Sequence, residues 1–283
     1  MALFGPDFAK ARSGWLYDIS AKPSLIVALV SLVALIVLMA LLQIAGGFAV
    51  YSLLSGSGAD ALADAATVQN DFAKATIVGM LPTGLLTALA AWWMARTFYL
   101  PENRGMPLHL PKLGLLGWVM VIVGFVIAVY VLYFALFALL GLDPQDYMPK
   151  SGGIDEDQSK AGLVEKVLAD MASEPLLFAL ALPGVMIAMP LAEELVFRGP
   201  VFAALAASRV GRWGAVLLTS AAWAMVHMTA PWMFVAIIFL MGILLGVLLL
   251  RFGSLWVTIV CHCIWNSVSS LAIFGNQAVP GAQ

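Results

Sequence analysis

Long apolar runs separated by short polar loops dominate this chain. A helix that crosses the hydrocarbon core of a bilayer needs roughly 20 apolar residues. Seven runs approach or exceed that length, with approximate bounds Leu25–Leu54, Ala75–Ala95, Leu115–Leu142, Leu176–Ala206, Gly214–Met228, Trp232–Leu250 and Leu255–Phe274. The pattern predicts an all-α fold, a polytopic transmembrane helical bundle of about seven spans.

The charges in the loops predict how the bundle is oriented. Basic residues fall in the N-terminal segment and in alternate loops: Lys10, Arg12, Lys22, Arg96, Arg104, Lys112, Arg209, Arg212 and Arg251. The opposite loops are mainly acidic, with Asp60, Asp64, Asp71, Asp143, Asp146, Asp155, Glu156, Asp157 and Glu165. Because short cytoplasmic loops are enriched in Lys and Arg, we expect a cytoplasmic N-terminus. An odd number of spans then places the C-terminus on the other side.

The same pattern divides the chain into five regions. We expect a cytoplasmic N-terminal segment at 1–24, three transmembrane helices within 25–142, an extracytoplasmic acidic loop at 143–175, a core of four helices at 176–274 and a tail at 275–283. Ala161–Ala172 has one apolar face and predicts an interfacial helix in the acidic loop. The first apolar run is too long for a cleaved signal peptide and predicts a retained anchor.

Composition agrees with a membrane protein and excludes other classes. The chain is 63% hydrophobic and 11% charged, whereas a soluble domain carries about a quarter charged residues. A net charge of −2 leaves no basic surface for nucleic acid. Cys261 and Cys263 are too close in sequence for an ordinary structural disulfide, so we expect reduced thiols. The lone His109 lies in a Pro-rich loop and predicts a solvated side chain.

Polar and ionisable residues inside the last four apolar runs are the main chemical signal. They are Glu193, Glu194, Arg198, His227, His262 and Asn266. A charged side chain in the bilayer core costs about 2.5–3.5 kcal/mol by the lower estimates, so such residues are rare and usually functional. At about 1.5 Å per residue, Glu193, His227 and Asn266 lie roughly 20 Å from the cytoplasmic ends of their helices, and His262 roughly 14 Å. Three helices therefore bring polar groups to similar depths.

Spacing within each helix predicts which groups face one another. Glu194 and Arg198 are four residues apart with the acid first, the favourable order for a helical ion pair. His262 and Asn266 share one face by the same spacing, and Trp223 can pack its indole beside His227. Pro183 and Pro190 interrupt the glutamate helix, where a kink makes room for water and releases backbone groups.

These residues resemble the CPBP intramembrane protease family, which includes CAAX prenyl endopeptidases and bacteriocin-processing or self-immunity proteins. The family pattern is Glu-Glu-x-x-x-Arg, then Phe-x-x-x-His, then His-x-x-x-Asn or Asp. Glu193, Glu194 and Arg198 match the first motif, and His262 with Asn266 match the third. His227 matches the second, although Trp223 replaces the Phe. The resemblance covers roughly Leu176 to Phe274 and implies a CPBP-like catalytic core.

The resemblance implies an intramembrane endopeptidase that cleaves a membrane-associated or lipidated peptide, in a bacterial inner membrane. Its catalytic residues would be Glu193, Glu194, His227, His262 and Asn266, with structural support from Arg198 and Trp223. Glu193 would be the base and His227 would help to hold the water. His262 and Asn266 would polarise the scissile carbonyl, while Arg198 would keep Glu194 ionised.

Three alternatives stay open at this level. Glu193, His227 and His262 could instead bind a catalytic zinc, since two histidines and a carboxylate suit that metal; we favour the metal-free mechanism. The chain could be a non-catalytic scaffold, immunity protein or accessory subunit of a larger membrane complex. A proton-coupled carrier is disfavoured because no internal repeat is visible. The expected partners are membrane lipids and a membrane-bound peptide or protein substrate.

Overall fold

The chain folds into helices joined by short loops in a computed structural model that describes residues 3–18, 24–54, 65–98, 106–149 and 159–278. No strand occurs in these ranges. The α-helices are α1 (Pro6–Ser13), α2 (Leu25–Leu54), α3 (Ala65–Phe98), α4 (Gly114–Leu140), α5 (Leu163–Met171), α6 (Pro175–Pro183), α7 (Met189–Arg198), α8 (Pro200–Ala207), α9 (Gly211–Met225), α10 (Trp232–Phe252) and α11 (Leu255–Ala278).

The predicted all-α transmembrane bundle is confirmed. Six segments of the described chain are long and apolar enough to span a membrane: Leu25–Leu54, Thr67–Thr97, Gly114–Leu140, Pro175–Ala207, Trp232–Phe252 and Leu255–Gly275. The remaining predicted segment, Gly214–Met228, corresponds to the 15-residue helix α9. This helix ends at Met225, and the turn that follows it contains His227. At about 1.5 Å per residue, α9 is roughly 22 Å long and does not cross the full hydrocarbon core by itself.

The helices divide into an outer pair and an inner group. Only 22% of the spanning window of α2 and 17% of that of α4 are buried in the protein, against 44% for α3, for α10 and for the segment Pro175–Ala207. Large apolar side chains such as Ile26 and Leu115 point outward from the outer pair, as expected of surfaces that face lipid. The inner segment Pro175–Ala207 contains Glu193, Glu194 and Arg198.

A break in the fourth span prepares the backbone next to the glutamates. Helix α6 ends at Pro183, one π-helical turn covers Gly184–Ala188, and α7 then starts with Pro190 in its first turn. The turn lies directly against α3: a Cβ added to Gly184 would lie 2.7 Å from the backbone nitrogen of Leu81, and one added to Gly84 would lie 2.8 Å from the carbonyl carbon of Ala188. Glycine is therefore required at both positions for this close approach.

Two short helices cover opposite ends of the chain's bundle. The apolar face of α5, including Val167, Leu168 and Met171, is buried in a cluster with residues of α3, α6 and α11. Two ion pairs from Lys74 of α3, each 2.6 Å, hold Asp170 and Glu174 at the end of α5. Backbone hydrogen bonds connect the segment around α1 to the start of α4 and to the end of α10. One of them runs from Tyr17 N to Leu250 O.

Candidate active site

Helix α7 lies inside the protein and presents its two glutamates to different neighbours. Every residue from Met189 to Arg198 is buried except Leu191, which is half-buried. Glu194 and Arg198 are completely inaccessible, and Arg198 Nη1 donates to Glu194 Oε1 over 3.1 Å. This is the ion pair that the four-residue spacing predicts. Glu193 points elsewhere and keeps 7% of its surface exposed.

His262 of α11 connects the two glutamates. Its Nδ1 lies 3.1 Å from Glu194 Oε1, the same oxygen that accepts from Arg198. A carboxylate paired with arginine can only accept, so Nδ1 carries the proton of this hydrogen bond. The other ring nitrogen, Nε2, lies 3.8 Å from Glu193 Oε2. Glu194 therefore fixes the ring of His262 with Nε2 turned toward Glu193.

His227 approaches Glu193 from the other side, in the turn that follows α9. Its Nδ1 lies 2.9 Å from the backbone oxygen of Trp223, and because a carbonyl oxygen can only accept, Nδ1 donates. The Nε2 of His227 then lies 3.9 Å from Glu193 Oε1. About 31% of the His227 side chain is exposed, against 2% for His262, so His227 forms the accessible wall of the site.

Trp223 has a contact that the sequence analysis missed. Its indole Nε1 donates to Glu193 Oε2 over 2.8 Å, and the side chain is buried. The indole also meets the rings of His227 and His262 edge-on, with centroids 5.6 Å and 5.1 Å away. The signal was present in the sequence, because Trp at this motif position adds an N–H donor that Phe lacks.

Asn266 holds the broken helix rather than the carboxylates. Its Nδ2 donates to Val185 O over 3.0 Å, and Val185 lies within the π-helical turn before α7. Breaks in transmembrane helices are tolerated where a side chain satisfies the freed carbonyls. His262 and Asn266 both contact the fourth span from α11, but the amide of Asn266 is engaged with backbone rather than with a carboxylate.

A further carboxylate lies near the accessible side of the site. Glu165 of α5 is close enough to His227 for the two to interact electrostatically. Burial raises the pKa of Glu165, while a hydrogen bond from its own backbone and the charge of His227 oppose that rise. Sequence analysis counted Glu165 only among the loop acids, because nothing in its spacing relates α5 to the end of α9.

The remaining sequence candidates lie outside the site. Cys261 and Cys263 are free thiols, as predicted, with Cys261 buried on the helix that carries His262. His109 is exposed in the loop before α4, and its backbone oxygen accepts from the Ser254 hydroxyl. Neither the thiols nor His109 joins the Glu193 group.

The residues proposed for zinc do not fit a metal as they stand. Two ligands sharing a tetrahedral zinc at bond lengths of 2.0–2.1 Å would lie about 3.4 Å apart. Here the two His–Glu193 separations are 3.8 and 3.9 Å, and Glu193 Oε2 already accepts from Trp223. Among the described residues, no group of three His, Cys, Asp or Glu side chains is placed to hold a metal.

Comparison with known proteins finds a protein family that matches the region containing this site. The family model of the type II CAAX prenyl endopeptidase Rce1-like proteins matches residues 175–268, which include all three motifs. No curated protein and no solved structure matches the chain. Residues 175–268 therefore form a type II CAAX prenyl endopeptidase Rce1-like domain, within the CPBP protease family that the motifs of this sequence resemble.

Proposed function

We propose that this chain is an intramembrane endopeptidase that hydrolyses a peptide bond of a membrane-associated or lipidated substrate with water activated by Glu193. The observation that carries the proposal is the placement of Glu193. Its carboxylate faces the Nε2 atoms of His227 and His262 at 3.9 and 3.8 Å, and neither histidine contacts it at hydrogen-bond distance. An unneutralised carboxylate beside two imidazoles is suited to general-base work.

The distances suit a water molecule between Glu193 and His227. A separation of 3.9 Å is too long for a direct hydrogen bond, whereas one water at about 2.8 Å from each group can contact both. Glu193 Oε1 takes a proton from this water as its oxygen attacks the scissile carbonyl carbon. When the C–N bond breaks, that proton passes to the leaving amine. One water and one peptide give a carboxylic acid and an amine.

The negative charge on the former carbonyl oxygen needs donors, and the α11 side of the site offers them. His262 is fixed by Glu194, with Nε2 turned toward the reacting region. Because Nδ1 already donates to Glu194, Nε2 donates to the oxyanion only when His262 is the imidazolium. A fixed donor that costs no reorganisation during the reaction is the kind that stabilises an oxyanion best. Asn266 is the second proposed donor, and to serve it must share or release its hydrogen bond to Val185.

The mechanism proposed uses no metal. Its support is the poor fit of the Glu193, His227 and His262 geometry to zinc and the indole donor already on Glu193. Prolonged chelation should leave the cleavage rate of purified protein within about twofold of the untreated rate, and metal analysis should find no stoichiometric zinc. About one tightly bound zinc per chain, lost in His227→Ala, would overturn the metal-free mechanism.

The proposed orientation has a cytoplasmic N-terminus, on the basis of the alternating basic and acidic loops. Ser13 and Ser173 are both exposed and lie at the ends of α1 and α5. With Cys261 and Cys263 replaced by alanine, a cysteine at position 173 should react with an impermeant maleimide in intact cells, and one at position 13 should react only after lysis. The reverse labelling pattern would overturn this orientation.

The enzymatic proposal is tested with purified protein in proteoliposomes. The probes are a farnesylated peptide that ends in a CAAX sequence, the same peptide without the lipid, and a transmembrane peptide. We expect cleavage of at least one membrane-associated probe, at a bond identified by mass spectrometry. Failure to cleave any probe, by protein that retains a cooperative thermal transition, would favour the scaffold or accessory-subunit alternative.

A further inference from the structure

Trp223 is the residue at which this chain departs from the Phe of the motif, and the departure adds a hydrogen bond to the reactive carboxylate. The indole Nε1 donates to Glu193 Oε2 over 2.8 Å, the shortest contact that the structure gives Glu193. Only 1% of the Trp223 surface is exposed, so water does not compete for this donor. A phenylalanine in the same place would pack but could not donate.

The two oxygens of Glu193 have unequal surroundings as a result. Oε2 receives the indole N–H and also faces Nε2 of His262 at 3.8 Å. Oε1 faces Nε2 of His227, the more exposed of the two imidazoles, at 3.9 Å. One oxygen is therefore held inside the protein, and the other is turned toward the accessible wall.

The indole also contacts the guanidinium that pairs with Glu194. The guanidinium carbon of Arg198 lies 4.5 Å from the centroid of the Trp223 ring, and Arg198 is engaged with Glu194 on the other side. Arg198 retains two buried nitrogens, Nε and Nη2, without a hydrogen-bond partner in the described structure. A carboxylate free to rotate in this environment would be drawn toward that guanidinium and away from His227.

We propose that Trp223 is a positioning residue that assigns the two oxygens of Glu193 different tasks. It holds Oε2 as an anchored acceptor and leaves Oε1 as the base that takes the proton of water beside His227. This inference rests on the proposed peptidase function and adds to it the identity of the reacting oxygen. Because Trp223 acts through Glu193, it contributes to the chemical step and not to substrate binding.

The test removes the N–H with little change in shape. Replacing Trp223 by 3-benzothienylalanine exchanges the indole N–H for sulfur, and Trp223→Phe restores the Phe of the motif. Trp256→Phe is the matched control, because its indole Nε1 also donates a hydrogen bond, but to the backbone oxygen of Leu108 at 2.9 Å and not to Glu193. Each variant is assayed for kcat, KM and thermal midpoint on a probe that the parent cleaves.

We expect the benzothienyl variant to lose about 10- to 100-fold in kcat, with KM within about twofold, because a misplaced catalytic group costs up to about 10²-fold. Its thermal midpoint should fall slightly, because a buried carboxylate oxygen loses its donor. Trp223→Phe should lose at least as much kcat, and Trp256→Phe should keep the parent value. A purely packing role would spare the benzothienyl variant. Parent-like kcat in that variant would overturn the positioning role while leaving the peptidase function intact.

A second readout does not depend on turnover. The indole ¹⁵N–¹H resonance of Trp223, assigned by its absence in Trp223→Phe, should lie downfield and move upfield by at least about 0.5 ppm in Glu193→Gln. A resonance that is insensitive to Glu193→Gln would overturn the charge-assisted hydrogen bond to the carboxylate. If the parent cleaves no probe but the resonance shifts, the hydrogen bond stands and the peptidase proposal fails.

Discussion

Glu193 and Glu194 are neighbours in the chain but occupy two different regions of the site. On the α11 side, Glu194 is completely buried and accepts from Arg198 and His262, both at 3.1 Å. Glu193 instead meets one imidazole from α11 at 3.8 Å and one from the turn after α9 at 3.9 Å, and its neighbour at hydrogen-bond distance is the neutral indole of Trp223 from α9. The same chemical group accepts two charge-assisted hydrogen bonds through Oε1 in one region and a single hydrogen bond from a neutral donor in the other.

In the proposed mechanism, this difference separates a structural carboxylate from a reactive one. Direct charge-assisted contacts hold Glu194, so it cannot accept a proton without breaking a buried ion pair. Glu193 keeps distances that admit water and has an exposed histidine beside it. Under the proposed mechanism, contact distance and exposure, more than depth in the membrane, distinguish the base from its support.

The paired region should give the largest effect on stability. Glu194→Gln leaves Arg198 buried without a counter-charge, so we expect a loss of about 3–5 kcal/mol in the free energy of unfolding, together with loss of cleavage. The double variant Glu194→Leu with Arg198→Leu removes both charges and should be markedly more stable than Glu194→Gln alone. Thermal unfolding in detergent measures both. Equal midpoints for Glu194→Gln and the parent would contradict the assignment of Glu194 to structure.

Substitutions of the two histidines test the same difference, and we expect their effects on stability to be of intermediate size. His262→Gln removes a buried donor to Glu194, so it should lower stability by about 1–3 kcal/mol as well as lower kcat. His227→Gln should lower kcat by roughly 10²-fold. It should leave the free energy of unfolding within about 0.5 kcal/mol of the parent value, because the His227 side chain is partly exposed and its ring is hydrogen-bonded only to the backbone oxygen of Trp223. Equal destabilisation by His227→Gln and His262→Gln would contradict the assignment of His262 to the paired region and of His227 to the accessible one.

The smallest expected effect concerns the broken helix. Asn266→Ala leaves Val185 O without its donor and should lower stability by about 1 kcal/mol. The control is Ser267→Ala, whose hydroxyl donates only to Cys263 O within the same helix. If Asn266→Ala and Ser267→Ala have the same thermal midpoint, the hydrogen bond between α11 and the π-helical turn contributes nothing to folding.

Contacts within one helix were predictable from the sequence, because helical geometry alone fixes them. The Glu194–Arg198 pair follows from a spacing of four residues, and the break at Pro183 follows from a residue that cannot continue the hydrogen-bond ladder. The comparable depth of Glu193, His227 and His262 also follows from length and rise per residue. These constraints place the polar groups at similar depths, but they do not determine which helices are neighbours.

Contacts between helices were not predictable, because they depend on rotation about each axis and on where a helix ends. The indole of Trp223 reaches Glu193 only because α9 packs against α7 with that face inward. Asn266 meets Val185 because a π-helical turn, not a simple kink, follows Pro183. The short length of α9 was missed for a related reason: apolar residues continue to Met228 after the helix has ended at Met225.

Cleavage by Glu193→Gln tests the central claim most directly. Glutamine keeps the shape of the side chain, and its oxygen can still accept from Trp223, but the base is gone. We predict that this variant loses at least about 10²- to 10⁴-fold in the rate of peptide cleavage, while its thermal midpoint stays within about 2 °C of the parent. Cleavage at the parent rate by a folded Glu193→Gln protein would contradict the account.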